Sequence, residues 1–164
     1  VQLLRKRVLR EPKFILDVHL GKLARYLRMA GFDCLYDKGY TDPEIIQLSL
    51  KQKRIILTRD KGILKNGKVT HGMFVWSVSP QKQFREVINR LQLENFIHPF
   101  TRCTECNQRI RKIKKDDIAD QLQPLTRKYF SDFYQCTGCK KIYWEGSHFV
   151  RMKQFIDQVQ ECCK

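Results

Sequence analysis

Two sets of side chains in this sequence have the types and spacing that do chemistry. One is sulfur: Cys103-Thr-Glu-Cys106 and Cys136-Thr-Gly-Cys139, with 29 residues between the pairs. Each C-x-x-C offers two thiolates from one tight turn, and two pairs complete a closed tetrahedral site of the kind that holds structural zinc. The other set is carboxylate. Asp17, Asp37 and Asp60 each end a short apolar run, and Asp42 and Glu44 open the helical pattern after the second. Hard oxygen ligands of this kind suit magnesium or manganese, ions that activate water at a phosphodiester.

Asp60 sits in an unusual setting. The apolar run Ile55-Ile56-Leu57 reaches Thr58, and the acid then stands between Arg59 and Lys61. Lys22, Arg25 and Arg28 fall on the polar side of the first helical pattern. Around an acidic pocket these five bases would hold a phosphate backbone while the acids hold a metal. A structural reading stands beside this one. Asp17, Asp42 and Asp60 are also favoured helix caps, Thr41 and Glu44 fit a capping box, and isolated bases are ordinary solvated charges. The shared location of the acids and their basic neighbours favour a site.

That location follows from the order of elements. Residues 13–17 (KFILD), 33–37 (DCLYD), 54–58 (RIILT) and 73–78 (MFVWSV) read as short strands. Between them lie helical patterns. Leu20, Leu23, Ala24 and Leu27 share one face, with Gly31 at the place of a left-handed C-terminal cap. The stretch 41–53 opens with Thr41 or Asp42 as cap and Pro43 in the first turn. Phe84, Val87, Ile88 and Leu91 mark a further helix. Alternating strand and helix implies right-handed crossovers and a mainly parallel α/β sheet. In such a sheet the C-terminal strand ends share one edge, where ligands bind, so Asp17, Asp37 and Asp60 converge there. Paired acids after the first strand would suggest a phosphoacceptor domain, but Asp17 is followed by Val18.

Composition sets the limits. The 164 residues, 42% hydrophobic, suffice for a domain plus a small module. A net charge of +15, present in both halves, favours polyanions, nucleic acid first and anionic membrane second. No apolar run approaches the ~18 residues of a membrane span, so no membrane partner is expected. The N-terminal stretch has no signal-peptide core, which points to an intracellular protein, cytoplasmic or nuclear. The start at Val1 suggests a piece of a longer chain. Cys34, Cys162 and Cys163 remain outside the pairs, and without an export signal the paired cysteines read as metal thiolates in a reducing compartment. Asn107 and Gly138 suit the left-handed conformations such turns need. His148 is redundant beside four thiolates, and His19 reads as a helix-start surface residue.

GKLARYLRMAGFD, then TRD after an apolar strand, then C-x-x-C … C-x-x-C-KKIYWEGSHFVRM resembles the C-terminal RNase-like domain of the Mut-seven group, from about Phe14 to Met152. The resemblance implies a PIN-like fold joined to a zinc ribbon, a pair found alone in prokaryotes and appended to 3′–5′ exoribonucleases in animals. It gives Asp17 and Asp60 the places of the acids ending the first and third strands, and Asp42 or Glu44 that of the acid region opening the second helix. Cys103, Cys106, Cys136 and Cys139 take the places of the ribbon ligands. Two positions depart from the pattern. PIN nucleases often carry a further acid after the fourth strand, where this chain reads Val75-Trp76-Ser77-Val78-Ser79, and Lys140 stands where the ribbon turn commonly has glycine.

The expected layout is a basic linker over 1–12, a PIN-like α/β domain over 13–100, a zinc ribbon over 101–148 and a C-terminal helix over 149–164, with separate cores. The expected function is that of an RNA-binding module of a 3′–5′ exoribonuclease, holding single-stranded RNA for a covalently linked exonuclease domain. The alternatives are a ribonuclease in its own right, using magnesium or manganese, and a scaffold that docks a protein partner.

Overall fold

Residues 11–162 are described in the computed structural model. Most of the expected basic linker, residues 1–10, and Cys163 lie outside them. Strands β1 (Lys13–Leu16), β2 (Asp33–Leu35), β3 (Ile55–Thr58) and β4 (Gly72–Phe74) form an all-parallel sheet in the order β2-β1-β3-β4. The strands are apolar on both faces because both are covered. Phe14, Leu16 and Leu57 point into the larger core with the inner faces of α1 (Gly21–Met29) and α4 (Pro80–Leu91). The alternating Ile15 and Ile56 point the other way, onto Ile45 and Ile46 of α2 (Asp42–Gln52) and Ile63 of α3 (Lys61–Leu64).

The local signals act as their chemistry requires. Gly31 takes φ 99°, Phe32 N–H donates to Leu27 O and Gly31 N–H to Arg28 O, closing α1 with a Schellman turn. A Cβ at Gly31 would run into the His98 carbonyl, so the glycine also permits a close approach of the later chain. Two expected strands are shorter than their apolar runs: β2 stops at Leu35 and β4 at Phe74. After β4, side chains take over the backbone bonding, as described below.

A second, antiparallel sheet contains β5 (Ile110–Ile113), β6 (Phe133–Cys136) and β7 (Ile142–Tyr143) in that order. The long gap between the cysteine pairs holds α5 (Lys115–Ile118) and α6 (Pro124–Tyr129), and Ile118, Leu122 and Phe133 form a small buried cluster there. The last helix, α7 (Ser147–Cys162), returns to the first sheet. Its Ile156 and Val159 are buried in the larger core, and Phe155 meets Tyr26 and Phe84. Phe100 links the two sheets, packing on that core and stacking edge-on with Tyr134 and Phe149 at 4.7 and 4.3 Å. The ribbon residues Ile118, Leu122 and Phe133 form a cluster of their own, while α7, the chain after the ribbon, completes the core of the chain before it. Among the described residues no helix is long and apolar enough to cross a membrane.

Candidate functional site

Parallel pairing of β1 with β3 sets Leu16 beside Leu57, so Asp17 and Thr58 emerge together at the C-terminal edge. Thr58 is fully buried and its hydroxyl donates to Asp17 Oδ2 at 2.8 Å. Thr58 Oγ1 in turn accepts the Asp60 N–H at 2.9 Å. Asp17 is 7% exposed and also accepts the His19 N–H at 3.3 Å. Asp60 is exposed, and its Oδ1 accepts the Gly62 N–H at 2.7 Å, capping α3. One hydroxyl thus bonds the carboxylate of Asp17, which follows β1, and the backbone amide of Asp60, which follows β3.

The other acids are engaged elsewhere. Asp37 accepts the Gly39 N–H at 2.7 Å within its own turn. Glu44 accepts both the amide and the hydroxyl of Thr41, at 2.7 and 2.8 Å, and these bonds hold its carboxyl below the usual range. Its visible role is to cap α2. Asp42 is exposed at the first position of that helix.

The expected phosphate-binding bases divide. Lys22 and Lys61 are exposed, as is Arg25, which pairs with Glu105 at 3.0 Å. Arg28 corrects the expectation. It is 5% exposed, donating to the carbonyls of Cys34, Thr104 and Glu105 at 2.9 to 3.2 Å, and so ties the first cysteine turn to α1 instead of facing solvent. Arg59 is exposed, but its Nη1 lies 2.7 to 2.9 Å from the carbonyls of Val75, Trp76 and Ser77.

Glu86 holds that same segment from its other side, a contact no sequence motif reveals. Its carboxylate accepts the Trp76 and Ser77 amides and the Ser77 hydroxyl at 2.8 to 3.1 Å, and pairs with Arg90 at 3.1 Å. Burial opposes its ionisation, but those bonds outweigh burial and hold the carboxyl low. After β4, where PIN nucleases often place an acid in the chain itself, an acid arrives from α4 and binds the backbone.

The four paired cysteines converge. Their Sγ atoms all lie within 4.8 Å of one another, with Cys103 to Cys139 at 3.7 Å and Cys106 to Cys136 at 3.3 Å. A tetrahedron with metal–sulfur bonds of about 2.3 Å has edges of about 3.8 Å, so the cluster fits a metal ion; the distances are far too long for disulfides. Burial works against ionising Cys106, but the Gln108 amide and the neighbouring sulfurs bring it down to about 7. Burial and the sulfurs of Cys103, Cys106 and Cys136 push Cys139 up to about 12. The residue after each pair is left-handed, Asn107 at φ 71° and Lys140 at φ 65°. Gly138 is not, and is needed for space instead, since a Cβ there would come within 2.7 Å of Gln108 Cγ.

The first cysteine turn docks on the edge strand β2. Asn107 Oδ1 accepts the Cys34 N–H at 2.9 Å, and its Nδ2 donates to Asp33 at 2.8 Å. Asp33 also binds Arg54 at 2.7 Å and lies 3.9 Å from Arg102. Arg54 is itself 6% exposed.

The family model described as Mut7-C RNAse domain matches residues 12–156. No curated protein and no solved structure matches the chain.

Proposed function

The chain belongs to the Mut7-C RNase domain family, and from that membership and the site's geometry we propose that it holds single-stranded RNA along the C-terminal edge of its parallel sheet. It would do so as a PIN-like module appended to a 3′–5′ exoribonuclease. The observation that carries this reading is the concentration of Arg59, Lys61 and Arg90 around the ends of β3 and β4, in a chain of net charge +15. Each phosphate neutralised by such bases releases counterions, so affinity falls as salt rises. The test is RNA binding by the chain across a salt series. An affinity indifferent to salt would sink it.

A second reading has its own observation. The Thr58 hydroxyl bonds both the Asp17 carboxylate and the Asp60 backbone amide, which supports a divalent-ion site at this edge. Magnesium or manganese there would supply an activated water and offset charge on the scissile phosphate. The chain's own part is to fix Asp17 by two hydrogen bonds, hold Asp60 at the start of α3, and keep bases near the phosphates. The site then cleaves the RNA it binds, with asparagine at either acid removing cleavage. At the sulfur cluster the proposed ion is structural zinc, held by Cys103, Cys106, Cys136 and Cys139.

A further inference from the structure

Beyond that edge stands an aromatic residue that neither core uses. Trp76 is 62% exposed, although an indole gains substantially from burial. Trp144, the other tryptophan of the chain, instead packs half-buried against Phe133. Single exposed apolar residues are ordinary, so exposure alone decides nothing. What distinguishes Trp76 is how firmly it is held. Its N–H donates to both oxygens of Glu86, at 3.1 and 2.9 Å, and its carbonyl accepts from Arg59 at 2.8 Å. The ring meets Phe74 at 4.6 Å with the planes 61° apart. The Lys61 ammonium lies 5.2 Å from the Trp76 ring centre and 5.5 Å from that of Phe74. Backbone and ring are thus fixed in advance, and rigidity of this kind lowers the entropy cost of binding.

Position supplies the second argument. Thr58 pairs with Phe74 across β3 and β4, and Asp60 and Trp76 each follow two residues later. The indole therefore stands beside the Asp17–Thr58–Asp60 edge. Arg90 donates to Phe74 O at 2.7 Å, so three bases surround the aromatic pair. A flat apolar face with the Lys61 ammonium beside it complements a base joined to phosphate, and stacking proteins for single strands use that combination. A partner offering only an apolar surface would leave those charges poorly matched.

We propose that Trp76 is a stacking platform for one unpaired base of single-stranded RNA, with Lys61 meeting the adjoining phosphate. This rests on the RNA-holding reading above and adds to it a strand preference, because a base inside a duplex is already stacked on its neighbours and cannot take the indole.

The test uses the 164-residue chain with end-labelled single-stranded RNA, a duplex of the same length and a strand with abasic positions. Trp76→Ala should bind the single strand roughly tenfold more weakly, and Trp76→Phe should restore most of the loss. The salt slope should stay the same in Trp76→Ala and fall by about one in Lys61→Gln. Wild type should bind the abasic strand no better than Trp76→Ala does. With Trp144→Phe leaving Trp76 as the only indole, single-stranded RNA should quench the emission. If wild type binds RNA in a salt-dependent way and Trp76→Ala binds equally well, the platform is overturned while the RNA reading stands. A wild type that binds no RNA at low salt overturns both.

Discussion

Thr58 Oγ1 donates to Asp17 Oδ2 at 2.8 Å, a bond made entirely below the surface between neighbouring strands. The hydroxyl also accepts the Asp60 amide, so one atom sets the relation of the two acids. Thr58→Val keeps the shape and the strand preference but removes both bonds. Asp17 then loses one of its two donors and the Asp60 amide its acceptor, which should cost about 1–3 kcal/mol in urea unfolding. An unchanged stability would mean that water replaces the hydroxyl without loss.

Much of this was legible in advance. The strands at Lys13 and Ile55, the Gly31 cap, the Thr41–Glu44 box and the four thiolates are local signals, and the structure realises each in place. Arg28 was not legible. By pattern it falls on the polar side of α1 with Lys22 and Arg25, yet the carbonyls that bury it come from Thr104 and Glu105, far along the chain. Glu86 and Asn107 were hidden for the same reason, since the groups they bind are distant in sequence or exposed only by tertiary contact. Gly138 had the right residue type for a left-handed turn, but that conformation falls one residue past each pair, on Asn107 and Lys140.

Acid should weaken the join between the sheets through Asp33. Burial opposes its ionisation, but the bonds from Arg54 and Asn107 and the charges of Arg54 and Arg102 outweigh burial and hold its carboxyl below the ordinary 3.8. A lowered carboxyl stabilises the fold fully above its unfolded value, and the contribution is lost as pH falls through the folded value. Asp33→Asn leaves the buried Arg54 without its anion, at a cost on the order of 3 kcal/mol near neutrality. The gap between wild type and variant should close as the pH of unfolding is taken below about 4. A gap that is the same at every pH would assign the loss to packing.

Zinc removal should reach beyond the ribbon. Cys136→Ser takes one thiolate from the cluster, and elemental analysis should show the metal gone. Arg28, Asn107 and the returning α7 join the cysteine turn to the larger core. Amide exchange should therefore speed up in α1 and β2 as well as in β5 to β7. Full protection of residues 13–100 in a zinc-free variant would show that the larger core tolerates the loss.

Lys140→Gly should stabilise the chain by about 1 kcal/mol. A lysine at φ 65° bears the clash of its Cβ with the backbone, which glycine lacks. Two effects reduce the gain: the looser unfolded chain of glycine, and the lost bond from Lys140 Nζ to Thr137 O at 3.2 Å. A rise in Tm with zinc content unchanged is the expected result, and a fall would mean the lysine bond outweighs the strain.

Cleavage is the prediction with most at stake. Any nuclease activity should require manganese or magnesium and disappear in both Asp17→Asn and Asp60→Asn. The two acids need each other because a divalent ion at the sheet edge needs more than one carboxylate to displace its water. Asp17 is nearly buried and doubly hydrogen-bonded, so its replacement should abolish activity outright. Asp60 is exposed and already caps α3, so asparagine there should keep the helix while losing the charge. The acid nearest the end of β4 is Glu86, whose oxygens are taken by the backbone, so it adds little to holding an ion. Any ion at this edge should therefore be weakly held, and a chelator should stop cleavage at once. RNA binding should persist in both variants or tighten, because removing an acid from a basic edge lessens repulsion of phosphate. The assay is end-labelled single-stranded RNA with and without manganese, on wild type and both variants. Products from wild type alone make the chain a ribonuclease. Intact binding without products leaves it a module that holds RNA for a neighbouring exonuclease. Equal products from all three assign the activity to a contaminant and say nothing of Asp60.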